Sequence, residues 1–142
     1  MKSLRLNREF AVRHLGVAIL FFCMGCWFGY DGFVGYPKRD DAWFESQHLR
    51  RDSATRRQKE FMALAFLASA LVGGHLWAVS RLRFSFDDAG FVFRGRRTAY
   101  GDVKSVDRSQ WEKKGIIRVD GVKLDAWHHS GVREFERNLG GG

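Results

Sequence analysis

Residues 61–80, FMALAFLASALVGGHLWAVS, contain no Asp, Glu, Lys or Arg. A helix crossing the hydrocarbon core of a bilayer needs about 20 mostly apolar residues, and this run meets that length unaided. A second block precedes it. Residues 15–30 carry no charge, and only Asp31 interrupts the apolar sequence before Tyr36. This block also spans, provided that Arg13 snorkels outward and Asp31 lies at the far interface. Trp27, Tyr30, Tyr36 and Trp77 fall near the block ends, where amphipathic rings favour the headgroup level. The expectation is two transmembrane helices, about residues 12–34 and 58–80, within a membrane region 1–80 whose linker is 35–57. Two buried core helices would instead need a soluble mass that a chain of 142 residues does not supply.

The first block holds Cys23 and Cys26, a spacing shared by metal sites and redox pairs. Three residues apart, the thiols occupy one helical face, but mid-bilayer and without a base or cation beside them. Thiolate chemistry requires an electropositive, partly wet setting, so packing of small polarizable side chains is the favoured reading. Lipoprotein processing at Cys26 is the alternative. Against it, Cys23 stands where such a cleavage site favours leucine, and the apolar run continues past Cys26. With no third cysteine, no disulfide framework is implied.

Small residues recur at helical spacing. Gly25 and Gly29 form a GxxxG in the first span, and Ala65, Ser69 and Gly73 form a stripe in the second. Such faces let helix backbones approach closely in lipid. An antiparallel hairpin, a homo-oligomer, or docking on a larger membrane complex would each use them. In the linker, the stretch from Asp40 to Leu49 suits a short helix capped by Asp40 or Asp41, with Trp43, Phe44 and Leu49 toward the membrane. Asp52 or Ser53 is positioned to cap the helix that runs into the second span. Nine basic residues flank the outer ends of the two spans and seven lie in the linker. The excess places both termini in the cytoplasm of an inner, or plasma, membrane.

From residue 81 the character changes. LRFSF and FVFR alternate around an Asp-Asp-Ala-Gly turn, RTAY returns after Gly95, and VKSVD, IIRVD and VKLDAW follow as short strands. The tail SGVREFERNL puts Val132, Phe135 and Leu139 on one helical face, with Ser130 as its cap. The fold class expected is therefore a membrane α-helical hairpin plus a small α+β domain, residues 81–142, whose antiparallel sheet is closed by a C-terminal helix.

The succession FSFDDAGFVFRGRRTAYGDVKSVDRSQWEKKGIIRV resembles the small bacterial pleckstrin-homology-like domains attached to membrane helices. The resemblance rests on Asp87, Gly90, Tyr100, Asp102, Val103, Val106, Asp107, Trp111, Lys113, Lys114, Gly115 and Ile116, and covers about residues 82–139. It implies a seven-stranded sheet domain, for which this stretch is short by a first or last strand. It also implies a non-enzymatic scaffold for protein contacts or lipid headgroups.

Candidate contact residues follow from charge. Arg94, Arg96 and Arg97 lie in a hairpin loop, and Lys113 and Lys114 in another. Basic clusters beside an anionic leaflet gain about 1 kcal/mol per charge, while solubilising surface charge is the plainer use. The soluble part carries 13 basic and 9 acidic residues, too balanced for a nucleic-acid stripe. His128 and His129 on a strand would diverge to opposite faces. His75 sits in a span, where an ionisable group marks a functional position, yet no second inward-facing histidine accompanies it convincingly. No catalytic constellation, metal or cofactor is expected. The functional expectation is a two-pass interaction or membrane-surface module, with an accessory structural subunit of a larger membrane complex as the alternative.

Overall fold

Of the computed structural model, residues 1–140 are described here. The apolar blocks are helical. Helix α1 (Arg8–Tyr30) continues through a π turn (Asp31–Gly35) and a 3-10 turn (Tyr36–Lys38). A short α2 (Asp41–Ser46) leads to α3 (Arg51–Ser80), whose 30 residues reach about 45 Å at 1.5 Å each. The stretches Arg8–Lys38 and Arg51–Ser80 are both long and apolar enough to cross a membrane. The chain divides into two compact units: Arg13–Leu76, and Met1–Val12 together with the chain from Trp77 onward.

Within the first unit, α1 and α3 run antiparallel. Moving up α1, His14 faces His75, Ser69 Oγ donates to the Ala18 carbonyl at 2.8 Å, Phe22 meets Phe66 and Phe28 meets Phe61. Partner numbers fall as α1 numbers rise. Gly25 and Gly29 sit at this seam: a Cβ on Gly25 would lie 2.7 Å from the Phe66 ring, and one on Gly29 3.0 Å from Met62 Sδ. Several large side chains are left exposed, with Leu71 65% and Leu20 58% exposed. At the turn, Asp40 accepts from Trp43 N–H at 2.9 Å and so caps α2 as expected. Phe44 differs from expectation. It is buried, edge-on to Tyr36 and Trp43, because the linker folds back into an aromatic cluster of its own. Helix α3 starts at Arg51, so Asp52 and Ser53 lie inside its first turn and not at the cap.

Among the described residues of the second unit, nine short strands form three antiparallel sheets. They are β1 (Lys2–Ser3), β2 (Arg5–Leu6), β3 (Phe84–Phe86), β4 (Gly90–Phe93), β5 (Arg96–Ala99), β6 (Val106–Asp107), β7 (Ile116–Val119), β8 (Val122–Asp125) and β9 (His129–Ser130). Their order is β1-β3-β4-β5, β6-β7-β8, and the pair β2-β9. The β4–β5 and β7–β8 hairpins turn on Arg94-Gly95 and Asp120-Gly121, both pairs at positive φ, the two-residue geometry that matches strand twist. Gly90 cannot be replaced cheaply, since a Cβ there would sit 2.3 Å from the Thr98 carbonyl oxygen. The one-turn helix α4 (Trp111–Lys114) separates β6 from β7, and α5 (Val132–Gly140) closes the unit. Phe135 of α5 is fully buried, edge-on to Phe84, Phe86 and Phe91 at centroid distances of 4.9–5.6 Å. Ile117, Val119, Leu124 and Val132 complete this core.

Two expectations are corrected here. The domain boundary is not at residue 81, because the N-terminal lead belongs to the sheet unit. Lys2 pairs with Phe86 and Ser3 with Ser85, Leu4 is buried in the core, and Arg5 and Leu6 pair with Ser130 and His129. Ser130 is consequently a strand residue whose Oγ donates to the Arg5 carbonyl, and not the cap of α5.

Candidate functional site

The first residues of α1 and the last residues of α3 belong to the sheet unit, and one loop meets them. Phe10, fully buried on the first turns of α1, packs against Trp127 and against the His128 ring, 4.5 Å away. The Asn7 N–H donates to the His128 carbonyl. His129 lies buried with Nε2 3.1 Å from the Val79 carbonyl, in the last turn of α3. That carbonyl also accepts the Leu82 N–H at 3.2 Å, and the imidazole, as the Nε2–H tautomer, gives it a second donor. Burial is the main cause that holds the His129 pKa below its ordinary value, against smaller opposing effects of the Val79 carbonyl and Asp125. His128 and His129 do diverge, one toward Phe10 and the other toward α3. On α3 itself, the Arg81 guanidinium lies over the Trp77 ring at 4.1 Å, the pairing of a cation and an amphipathic ring that suits a membrane interface.

The same loop forms one wall of a groove of about 760 Å³. Lys113 and Lys114 end α4, Arg133 and Arg137 stand one turn apart on α5, and Trp111 and Trp127 supply its rings. Gly115 ends α4 in the left-handed conformation (φ +66°) and donates its N–H to the Trp111 carbonyl, which aims the chain into β7. Two carboxylates also line the groove. Glu136 is already paired with Arg108 at 3.1 Å, leaving Glu112. Among the described residues, none of the four cations has a carboxylate partner.

The other basic cluster behaves differently. Arg97 binds the Asp87 carboxylate at 3.0 Å, and the Arg94 guanidinium rests on the Phe93 ring at 5.2 Å. Asp87 also accepts the N–H groups of Ala89 and Gly90, which hold the β3–β4 turn; the Ala89 bond is the leading cause of its lowered pKa. Arg96 and Arg97 line a second groove of about 720 Å³ with Lys104, but Asp102 and Asp120 share it. The structure therefore separates the five basic positions singled out in the sequence. Lys113 and Lys114 join Arg133, Arg137 and two tryptophans, whereas Arg94, Arg96 and Arg97 stay on the β4–β5 hairpin. Sequence reasoning missed Arg133, Arg137 and Trp127. The i,i+4 spacing of the two arginines, off the Val132/Phe135/Leu139 face, was the signal available.

Among the helix-packing positions, Gly25 and Gly29 lie at the seam, Ala65 is buried and Ser69 bonds across it. Gly73 does not join them, because a Cβ there would meet nothing within 4 Å. The small-residue stripe drifts off the contact face one turn beyond Ser69. The structure also supplies the partner that His75 lacked in sequence: His14 lies across the seam, with ring centroids 5.9 Å apart. Cys23 and Cys26 are exposed on α1.

No family model matches the chain, and no curated protein or solved structure matches it at a significant level.

Proposed function

We propose that the chain is a two-pass inner-membrane protein whose sheet unit is a pleckstrin-homology-like, non-enzymatic module for protein contact or membrane-surface binding. The observation that carries this reading is the pairing of β1 with β3. Strands separated by two membrane-crossing helices can pair only if both ends of the hairpin emerge on one side of the bilayer. The nine-to-seven distribution of basic residues favours the cytoplasm for that side. The pairing also supports the pleckstrin-homology-like assignment, since β1 supplies the strand that residues 82–139 lacked. With it, four strands and three strands lie under a C-terminal helix.

The module is tethered twice, with Asn7 alone between β2 and α1 and residues 81–83 between α3 and β3. Tethers this short, at about 3.3–3.6 Å per residue, support a reading in which basic side chains act on anionic lipid within a Debye length. The test uses the full chain in nanodiscs of phosphatidylglycerol or phosphatidylcholine. Amide exchange in residues 84–139 is expected to slow in the anionic discs at low salt and to equalise at high salt. Identical exchange in both lipids at low salt removes the membrane-surface reading.

One observation favours the second reading, an accessory subunit of a larger membrane complex. Gly73 and Gly74 face open space, which leaves a smooth stretch of α3 for another helix. Migration in mild detergent as a much larger assembly would select it.

A further inference from the structure

We infer that the groove between α4, the β8–β9 loop and α5 is the seat of one anionic phospholipid headgroup, and that the β4–β5 arginines are not. The inference rests on the membrane-surface reading above and deepens it by naming the site. Three observations converge on it.

The first is charge. Lys113, Lys114, Arg133 and Arg137 line one concavity and, among the described residues, have no carboxylate partners, and one of the two acidic groups there is already bound to Arg108. The net field inside is positive. A phosphodiester offers these groups charge-assisted acceptors, and the two arginines can bind it in a forked geometry.

The second is position. The Ala126–His128 loop is the part of the sheet unit that touches Phe10, and the next residue, His129, holds Val79. Phe10 precedes the uncharged run at Leu15 by five residues of chain, and Val79 is the penultimate residue of α3. The Trp127 wall of the groove therefore packs on the turn of α1 from which the chain enters its apolar run. A soluble phosphoester has no use for that placement, whereas a lipid headgroup arrives there already confined to the leaflet.

The third is amphipathy. Trp127 remains 40% exposed although it packs on Phe10. An indole at the edge of a cationic pocket matches the boundary between a phosphate and its glycerol and acyl chains. The β4–β5 groove lacks this combination: its arginines face Asp87, Asp102 and Asp120, and no tryptophan lines it.

The test is native mass spectrometry of the full chain released from detergent with added phosphatidylglycerol or phosphatidylcholine. One phosphatidylglycerol is expected to be retained in preference. The variant Lys113→Gln/Lys114→Gln/Arg133→Gln/Arg137→Gln should lose that preference by on the order of tenfold or more. The charge-keeping Lys113→Arg/Lys114→Arg should keep it, and so should Arg94→Gln/Arg96→Gln/Arg97→Gln. Circular dichroism melts establish that each variant is folded. If the quadruple variant misfolds, Trp127→Ala and the salt dependence of wild-type retention decide the matter. Both are expected to weaken retention, and indifference to both overturns the assignment. Loss in the β4–β5 variant with retention in the groove variant overturns the site and leaves the membrane-surface reading standing. Equal retention of both lipids by the wild type overturns site and reading together. Competition by soluble glycerol phosphate at concentrations that match the lipid would make the groove a phosphoester site, and an acidic peptide that displaces lipid while binding more tightly would make it a protein site. Either overturns the lipid assignment.

Discussion

Phenylalanine does opposite work in the two units. In the helical hairpin Phe22, Phe33 and Phe61 stay about half exposed, although Phe22 and Phe61 each touch a ring across the seam, while in the sheet unit Phe84, Phe86, Phe91 and Phe135 turn inward until almost nothing of them is exposed. The closest approach in the hairpin is made by Gly25 and Gly29, which receive Phe66 and Met62; the contact face of the sheet unit is made of aromatic rings converging on one another. On the two-pass reading proposed above, a lipid tail is as apolar as a side chain, so a hairpin in lipid gains little by hiding phenylalanine and associates through close backbone approach. Water enforces the reverse in the sheets. The comparison teaches that the hydrophobicity of a residue does not fix its direction. The solvent does.

The largest effect that would sharpen this contrast is expected from Phe135→Ala. It removes the ring on which Phe84, Phe86 and Phe91 converge, at a cost of about 3–5 kcal/mol. That is a large share of the stability of a small unit. Limited proteolysis of the full chain in nanodiscs should cut the sheet unit rapidly and leave the hairpin protected. Loss of the hairpin in step would break the comparison by making the two units one cooperative body.

A smaller effect is expected within the hairpin. Gly25→Ala forces the Phe66 ring to move, costing about 1–3 kcal/mol, whereas Gly73→Ala meets open space and should change stability by less than about 0.5 kcal/mol. Steric-trapping measurements of helix separation would read both. An equal response at the two glycines would remove the claim that close approach holds this pair together.

The smallest effect concerns pH and belongs to the sheet unit alone. Burial depresses the folded His129 pKa from its ordinary 6.5. The unfolded chain therefore binds the proton more readily. The stability from His129 is complete above about pH 6.5 and is lost as the pH falls below that value. The melting midpoint of the sheet unit should decline between about pH 7 and pH 5, and His129→Gln should flatten the decline. An unchanged slope in that variant would assign the pH response to other groups.

Local signals made much of this architecture legible. Two uncharged runs gave two long helices, the Asp-Asp-Ala-Gly, Arg-Gly and Asp-Gly turns gave the hairpins, and the spacing of Val132, Phe135 and Leu139 gave the closing helix. The basic residues of α4 were visible as well, but their partners on α5 were not, because convergence of Lys113 and Lys114 with Arg133 and Arg137 depends on how α5 lies across the sheets.

The first strand was the least accessible feature. Alternation of Leu4 and Leu6 within KSLRL was present, yet a five-residue alternation carries no statement about a partner 80 residues away.

By itself, then, the sequence determined the two long helices, the main hairpins and the closing helix, since periodicity and turn chemistry act within a few residues. Only the tertiary structure decided that the N-terminal lead completes a sheet begun after the second helix, that His14 meets His75, and that four cations share one groove. Those outcomes depend on pairings between distant segments. Their loop-closure cost is set by the whole chain, and the burial of groups such as Leu4 and Phe10 is realised only once both ends have come together.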